Sequence, residues 1–166
     1  MINPNHNLEQ IFETLTHHHN LTLAIAETST GGMIANLLTD QPGSSAFFNG
    51  SIVAYSYDSL RDVLHVKPET LDAHGAVSKA TVCEMAQSVR QILNADIGIG
   101  VCGITGPSGG TPQKPVGTCW LAISDGKYTS THHAVFEGDR IAIKAQMAQH
   151  ALACLTNFLE SHYPKS

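Results

Sequence analysis

Along this chain the hydrophobic residues switch between a period near 3.6 and short unbroken runs, and each switch marks an element. Leu8, Ile11, Phe12 and Leu15 fall on one helical face, so the chain opens with a helix. Leu21 to Ala26 is apolar but for Thr22, the pattern of a buried strand. Helical spacing returns from Thr30 to Leu38, with Met33, Ile34, Leu37 and Leu38 inward, until Gln41-Pro42-Gly43 breaks it. Ser51 to Ser56 predicts a strand. Short helices follow at Asp58 to Leu64 and at Pro68 to His74, the second with proline at its first position. Ser78 can cap a helix running through Leu93, in which Val82, Met85, Ala86, Val89, Ile92 and Leu93 repeat along one face. Strands are predicted at Ile97 to Cys102, Gly117 to Ser124 and Tyr128 to Phe136, the last two joined at Asp125-Gly126 as a hairpin. A helix from Arg140 to about Leu159 closes the chain. Strands alternating with helices, followed by a hairpin, predict an α/β fold: a three-layer α/β/α sandwich with a mixed, mostly parallel sheet. No repeat and no linker intervenes, so residues 1–166 are expected to form a single domain.

Composition narrows the class of protein. With 42% hydrophobic and 14% charged residues over 166 positions, the chain can bury a sizeable core and is neither disordered nor a coiled coil. A net charge of −5 offers no basic field to nucleic acid, so a phosphorylated ligand would be held by local N–H groups and one or two cations. Cys83, Cys102, Cys119 and Cys154 are widely spaced and form no CxxC, which fits reduced thiols in a cytoplasmic protein. No basic-then-apolar leader and no apolar run of about 18 residues occurs, so neither secretion nor a membrane span is expected. His17-His18-His19 point in different directions on a helix, and His132 and His133 alternate across a strand. No metal and no other cofactor is expected.

Candidate chemistry lies in two glycine-bearing stretches. Ala26-Glu27-Thr28-Ser29-Thr30-Gly31-Gly32 follows the first strand, and Gly103-Ile104-Thr105-Gly106-Pro107-Ser108-Gly109-Gly110-Thr111 follows Ile97 to Cys102. Both put hydroxyls and unencumbered N–H groups at the carboxyl ends of strands, where open α/β sheets bind small phosphorylated ligands. Read blandly, Gly31-Gly32 is only a tight turn. The second stretch is neither a Walker A loop nor GxGxxG, so it points to a class of ligand without identifying one. Phe47 and Phe48 either flank a base or pack in the core.

Longer blocks give a sharper reading. Glu27 with Thr30-Gly31-Gly32, Pro42-Gly43-Ser44-Ser45, His74-Gly75-Ala76-Val77-Ser78, Gly103 to Gly110, Lys114-Pro115-Val116-Gly117-Thr118 and Gly138-Asp139-Arg140 occur in order over nearly the whole chain. In these blocks the sequence resembles the CinA C-terminal family, the nicotinamide mononucleotide deamidases. The resemblance implies hydrolysis of the nicotinamide carboxamide to nicotinate mononucleotide and ammonia, with a hydroxyl nucleophile, a base and oxyanion donors. It implies a nucleophilic Ser directly after the Glu, activated by a Tyr and by a Lys five residues beyond that Tyr. It also implies pairing of copies into a homo-oligomer.

Two of those three positions differ here. Thr28 stands where the family has Ser, Tyr55 is kept, and Leu60 occupies the Lys position in Tyr55-Ser56-Tyr57-Asp58-Ser59-Leu60. Leucine accepts no proton. The neighbouring Arg61 stays protonated and faces about 100° away on a helix. Leu60 spaces with Val63 and Leu64 as a core position would, and none of Lys67, Lys79 or Lys114 is expected to reach Thr28. The Thr28 methyl restricts its χ1 and crowds attack, and Ser29 could substitute if the turn rotates. Loss of one member of a catalytic unit costs on the order of 10⁴ in rate. The binding half is better kept: Thr30, Gly31 and Gly32 are expected to present N–H groups, Thr105, Gly109, Gly110 and Thr111 to cradle phosphate or ribose, and Arg140 to pair with phosphate. Three readings stay open at this point: a non-catalytic binder of a pyridine mononucleotide, an active deamidase using Thr28 or Ser29, and a different hydrolase on the same pocket.

Overall fold

A computed structural model describes residues 4–164. Helix α1 (Pro4–Phe12) widens into a π turn at Glu13–His18 and leads to strand β1 (Leu23–Glu27). Next come α2 (Met33–Thr39), a 3-10 turn at Ser44–Ala46, and β2 (Phe48–Val53). Two short helices, α3 (Tyr57–Asp62) and α4 (Pro68–His74), precede the long α5 (Lys79–Ile92). Strands β3 (Ile97–Gly103), β4 (Thr118–Ser124) and β5 (Thr129–Val135) complete the sheet, and α6 (Arg140–His162) closes the chain. The strand order is β2-β1-β3-β4-β5. β1 pairs in parallel with β2 and β3, while β3–β4 and β4–β5 are antiparallel, so β4 alone runs against the other four.

The sandwich follows from what each strand shows to its two faces. Leu23, Ile25, Ile97, Ile99, Val101, Leu121 and Ile123 meet α1, α2 and α6 through Leu8, Ile11, Leu15, Ile34, Leu38, Met147 and Leu155. Alternate positions are small: Ala24, Ala26 and Ala122 meet Leu60, Leu64, Val82, Met85, Ala86 and Val89 on the opposite side. Large residues on one face and small ones on the other let α5 lie close against the sheet. At Gly100 a Cβ would overlap the Val82 carbonyl oxygen and come within 2.8 Å of Met85 Cβ, so any side chain there pushes α5 away.

Among the element boundaries that differ from the sequence pattern, three do so for a visible reason. The first strand runs on to Glu27, whose backbone pairs with Val53 and Val101 although its charge ends the apolar run. The second lies at Phe48–Val53 rather than Ser51 to Ser56, because Ser56 leaves the sheet to form a reciprocal cap with Ser59 at the start of α3. Helix α2 begins at Met33 rather than Thr30, because Gly31 (φ 62°) and Gly32 (φ 96°) adopt the left-handed conformation. Ser78 caps α5 by accepting from Thr81 N–H at 3.2 Å, as its position predicted.

Connectivity now fixes where a ligand can sit. From β1 the chain crosses through α2 on one face to β2, then returns through α5 on the other face to β3, on the far side of β1. The loops leaving β1 and β3 therefore diverge, and the gap between them is the topological switch point of the sheet.

Candidate functional site

A cleft of about 480 Å³ opens at that switch point, at the carboxyl ends of β1, β2 and β3. Thr28 and Ser29 line one side, Tyr55 and Tyr57 the mouth, and Gly103 to Gly106 with Ser108 and Gly109 the other side; Arg140 reaches in from the first turn of α6. Leu60, Ala54, Ala76, Val77 and Ile104 make the remaining wall apolar.

The turn after β1 is organised by Glu27, which is fully buried. Its Oε2 accepts from Thr30 Oγ1 (2.7 Å) and from the N–H groups of Gly32 and Ile34 (3.1 Å each). Its Oε1 accepts from Ala35 N–H and Ser51 Oγ, also at 3.1 Å. One carboxylate thus collects the free donors at the start of α2 and ties them to β2, which supplies its charge with five hydrogen-bond partners in place of water. In the sequence Glu27 stands out only as part of a motif. Its signal was available, because a lone acid closing a buried strand needs donors and a helix start supplies them.

Glu27 also changes the expected roles of its neighbours. The Thr30 hydroxyl and the Gly32 N–H are spent on Glu27, and the Gly31 N–H donates to Thr28 O at 3.0 Å. None of Thr30, Gly31 and Gly32 lines the cleft, so the expected cradle of N–H groups is an internal brace instead. On the opposite loop Thr105 and Gly109 line the cleft, whereas Gly110 and Thr111 do not. Thr111 closes its own turn, its N–H donating to Lys114 O (2.8 Å) and its hydroxyl accepting from Lys114 N–H (3.0 Å).

The hydroxyls inside the cleft are not equivalent. Thr28 directs both its N–H and its Oγ1 at Val101 O, each at 3.2 Å. Ser29 is 8% exposed and its Oγ has no hydrogen-bond partner. Thr105 is 4% exposed and its side chain makes no hydrogen bond among the described residues. At the mouth, Arg140 donates from Nη1 to Gly106 O (2.6 Å) and from Nη2 to Tyr55 OH (2.9 Å). Arg140 is thereby pre-positioned across the opening with guanidinium donors to spare. Tyr57 leans the other way and its hydroxyl accepts from Ala76 N–H at 3.4 Å. Sequence reasoning did not single out Tyr57, and nothing in its local pattern marks it.

Leu60 is 2% exposed and packs with Leu64, Val66 and Val82 while its side chain contributes to the cleft wall. Among the described residues no lysine lines the cleft. Lys114 donates to His74 O at 2.7 Å, fastening the Thr111–Val116 loop to the end of α4. Lys144, one helical turn beyond Arg140, brings its ammonium to 3.6 Å from where a Gly31 Cβ would sit, on the outside of the Glu27 turn. Cys102 Sγ donates to Ala76 O at 2.9 Å, and burial pushes its thiol up to about 12, so it acts here as a tether rather than a nucleophile. All four cysteines are unpaired. Phe47 is buried and Phe48 packs against the same core, and neither lines the cleft. Among the described residues no group of three or more His, Cys, Asp or Glu could hold a metal ion, and no helix is long and apolar enough to cross a membrane.

Fold and cleft together define the class: an α/β/α sandwich domain that presents a small-molecule-sized cleft at its sheet switch point. The comparisons make this specific. The CinA C-terminal domain model matches residues 5–159, and the chain belongs to that family. It is 41% identical over 153 residues to a putative competence-damage inducible protein of Caldanaerobacter subterraneus, and 40% identical to a CinA-like protein of Thermotoga maritima. Each alignment covers 92% of this chain, which spans 37% of the length of those relatives. Among solved structures, the competence damage-inducible protein A of Klebsiella pneumoniae is similar at TM-score 0.91 and 35% identity, covering 97% of this chain and 99% of that one. The CihA protein of Agrobacterium tumefaciens is similar at 0.89 and 34%, covering 93% and 94%.

Proposed function

We propose that this chain binds a pyridine mononucleotide in the switch-point cleft and hydrolyses its carboxamide weakly or not at all. The observation that carries the reading is the inventory of the cleft: Arg140 is the one charged side chain among its lining residues, and no His, Lys, Asp or Glu joins it. Such a site can hold an anionic, flat, partly apolar molecule. Amide hydrolysis needs more, because the attacking hydroxyl must lose a proton to a base within hydrogen-bond reach. Leu60 fills the position where the family resemblance implies that base, and the Thr28 hydroxyl is directed at Val101 O. In this reading the phosphate meets Arg140, the ribose meets the Thr105–Gly109 loop, and the ring enters between Ser29 and the apolar wall. The assembly is a homo-oligomer, to be read by sedimentation.

The rescue experiment tests it. Thr28→Ser with Leu60→Lys is expected to create ammonia release from nicotinamide mononucleotide where the parent shows little. Each single change should do far less, because nucleophile and base act as a unit. Leu60→Lys puts an ammonium into packed apolar surroundings, so the folded fraction is measured before rates are compared. A parent that turns over at about 1 per second or faster overturns the reading.

A further inference from the structure

The two edges of the sheet are protected differently. β2 skips Asn49 in its pairing with β1, an irregularity of the kind that deters pairing with another chain. β5 has no such device: its seven residues pair with β4 without a break, and Thr129 to Val135 contain no lysine, proline or acid. The bonds to β4 fix which of its backbone groups are free. Asp125 N–H donates to Tyr128 O (3.2 Å) and Phe136 N–H to Gly117 O (3.0 Å), so the even-numbered residues face β4. By alternation Thr129, Thr131, His133 and Val135 turn their N–H and C=O groups outward. Among the described residues no hydrogen bond answers these groups, and no strand lies beyond β5.

An unprotected edge takes another strand, and β5 is complementary to itself. A twofold axis at His132 sets two copies antiparallel, and every outward residue then finds an outward residue: Thr129 meets the partner's Val135, and Thr131 meets the partner's His133. The same register sets Tyr128, which is 43% exposed, against the partner's Phe136, and Ser130 against the partner's Ala134. His132 meets its own copy on the axis, and burial holds its imidazole below the ordinary value, so the two rings meet uncharged at neutral pH. At each end of the strand Lys127 comes opposite the partner's Glu137. Both residues are exposed, and among the described residues neither forms a salt bridge within its own chain. We propose that β5 is a homodimer interface, joining the five-stranded sheets of two copies into one continuous antiparallel junction with its twofold at His132. The proposal rests on the homo-oligomer named above and supplies its interface. The cleft reading is independent of it, because no β5 residue lines the cleft.

Sedimentation velocity, with far-UV circular dichroism as the check on folding, tests it on the wild type, Thr131→Pro, Lys127→Glu, Glu137→Lys and the double charge swap. The wild type is expected to sediment as a dimer. Thr131→Pro removes an outward N–H and leaves the bonds to β4 in place, so it should fold and sediment as a monomer. Each single charge reversal sets like charges at both ends of the junction and should weaken the dimer about tenfold at low salt. Lys127→Glu combined with Glu137→Lys should restore it. The two single variants, mixed, should pair with each other more tightly than either pairs with itself. A dimer that survives in folded Thr131→Pro overturns the β5 interface and leaves the homo-oligomer standing. Single reversals as tight as the wild type, or a double swap no tighter than the singles, overturn the register whether or not the proline variant folds. A wild type that stays monomeric up to roughly millimolar chain overturns the interface and the homo-oligomer together.

Discussion

The turn after β1 has two sides that contrast sharply in how their polar groups are satisfied. On the inner side Thr30, Gly32 and Ser51 spend their donors on Glu27, and the Gly31 N–H donates to Thr28 O. On the outer side, one residue away, Ser29 has an unanswered hydroxyl, Thr105 lines the same cleft without a side-chain hydrogen bond, and Arg140 is latched across the mouth by two contacts. A saturated network stabilises the fold and offers nothing to a ligand. An unsaturated one weakens the fold slightly and offers everything it has. Motif identity alone would have assigned both sides to binding.

The contrast breaks most readily at Glu27. Glu27→Ala strands five donors around a buried cavity, and a loss of about 3–5 kcal/mol in unfolding free energy is expected from denaturant titration. A loss below about 1 kcal/mol would mean that the inner network is dispensable. On the outer side, Arg140→Ala should weaken mononucleotide binding by roughly 1.5–3 kcal/mol while changing stability by less than about 0.5 kcal/mol. A paired comparison sharpens this further. Thr30→Ala should cost about 1 kcal/mol of stability and leave a folded site, whereas Thr105→Ala should spare stability and weaken binding by a similar amount.

The smallest effect belongs to a region outside both. His132 on β5 and His150 on α6 meet edge to face at 6.3 Å. Burial holds His132 below its ordinary value; for His150 burial does so first and the His132 charge second. A depressed native value means that this contribution to stability is full above the unfolded value of about 6.5 and is lost as pH falls through the lower native values. Replacing both by Gln should flatten the acid side of the stability profile below about pH 6.5 and leave ligand binding at neutral pH unchanged.

Much of the architecture was legible in the sequence because it rests on local signals. Pro68 at a helix start, the Ser78 cap, the Asp125-Gly126 turn and the apolar face of Val82 to Val89 each act within one element. The site was legible by position only. That Thr28, Ser29, Tyr55, Thr105, Gly109 and Arg140 meet follows from strand ends gathered at the switch point. That Thr30, Gly31, Gly32, Gly110 and Thr111 do not join them depends on where individual N–H groups point. On the β1 side two left-handed glycines and one buried carboxylate decide that, on the β3 side the Thr111–Lys114 turn does, and none of these has a periodic signature. Tyr57 enters the cleft through a bond to Ala76, nineteen residues away, a contact that no local pattern encodes.

The central claim is a cleft that holds a mononucleotide and consumes it weakly or not at all. It is met most directly by titrating the wild-type chain calorimetrically with nicotinamide mononucleotide and assaying ammonia in the same solution afterwards. The account predicts a saturable heat of binding and ammonia release far below about 1 per second per protein. Steady ammonia production at enzyme-like rates, or no heat of binding at millimolar nucleotide, would contradict it.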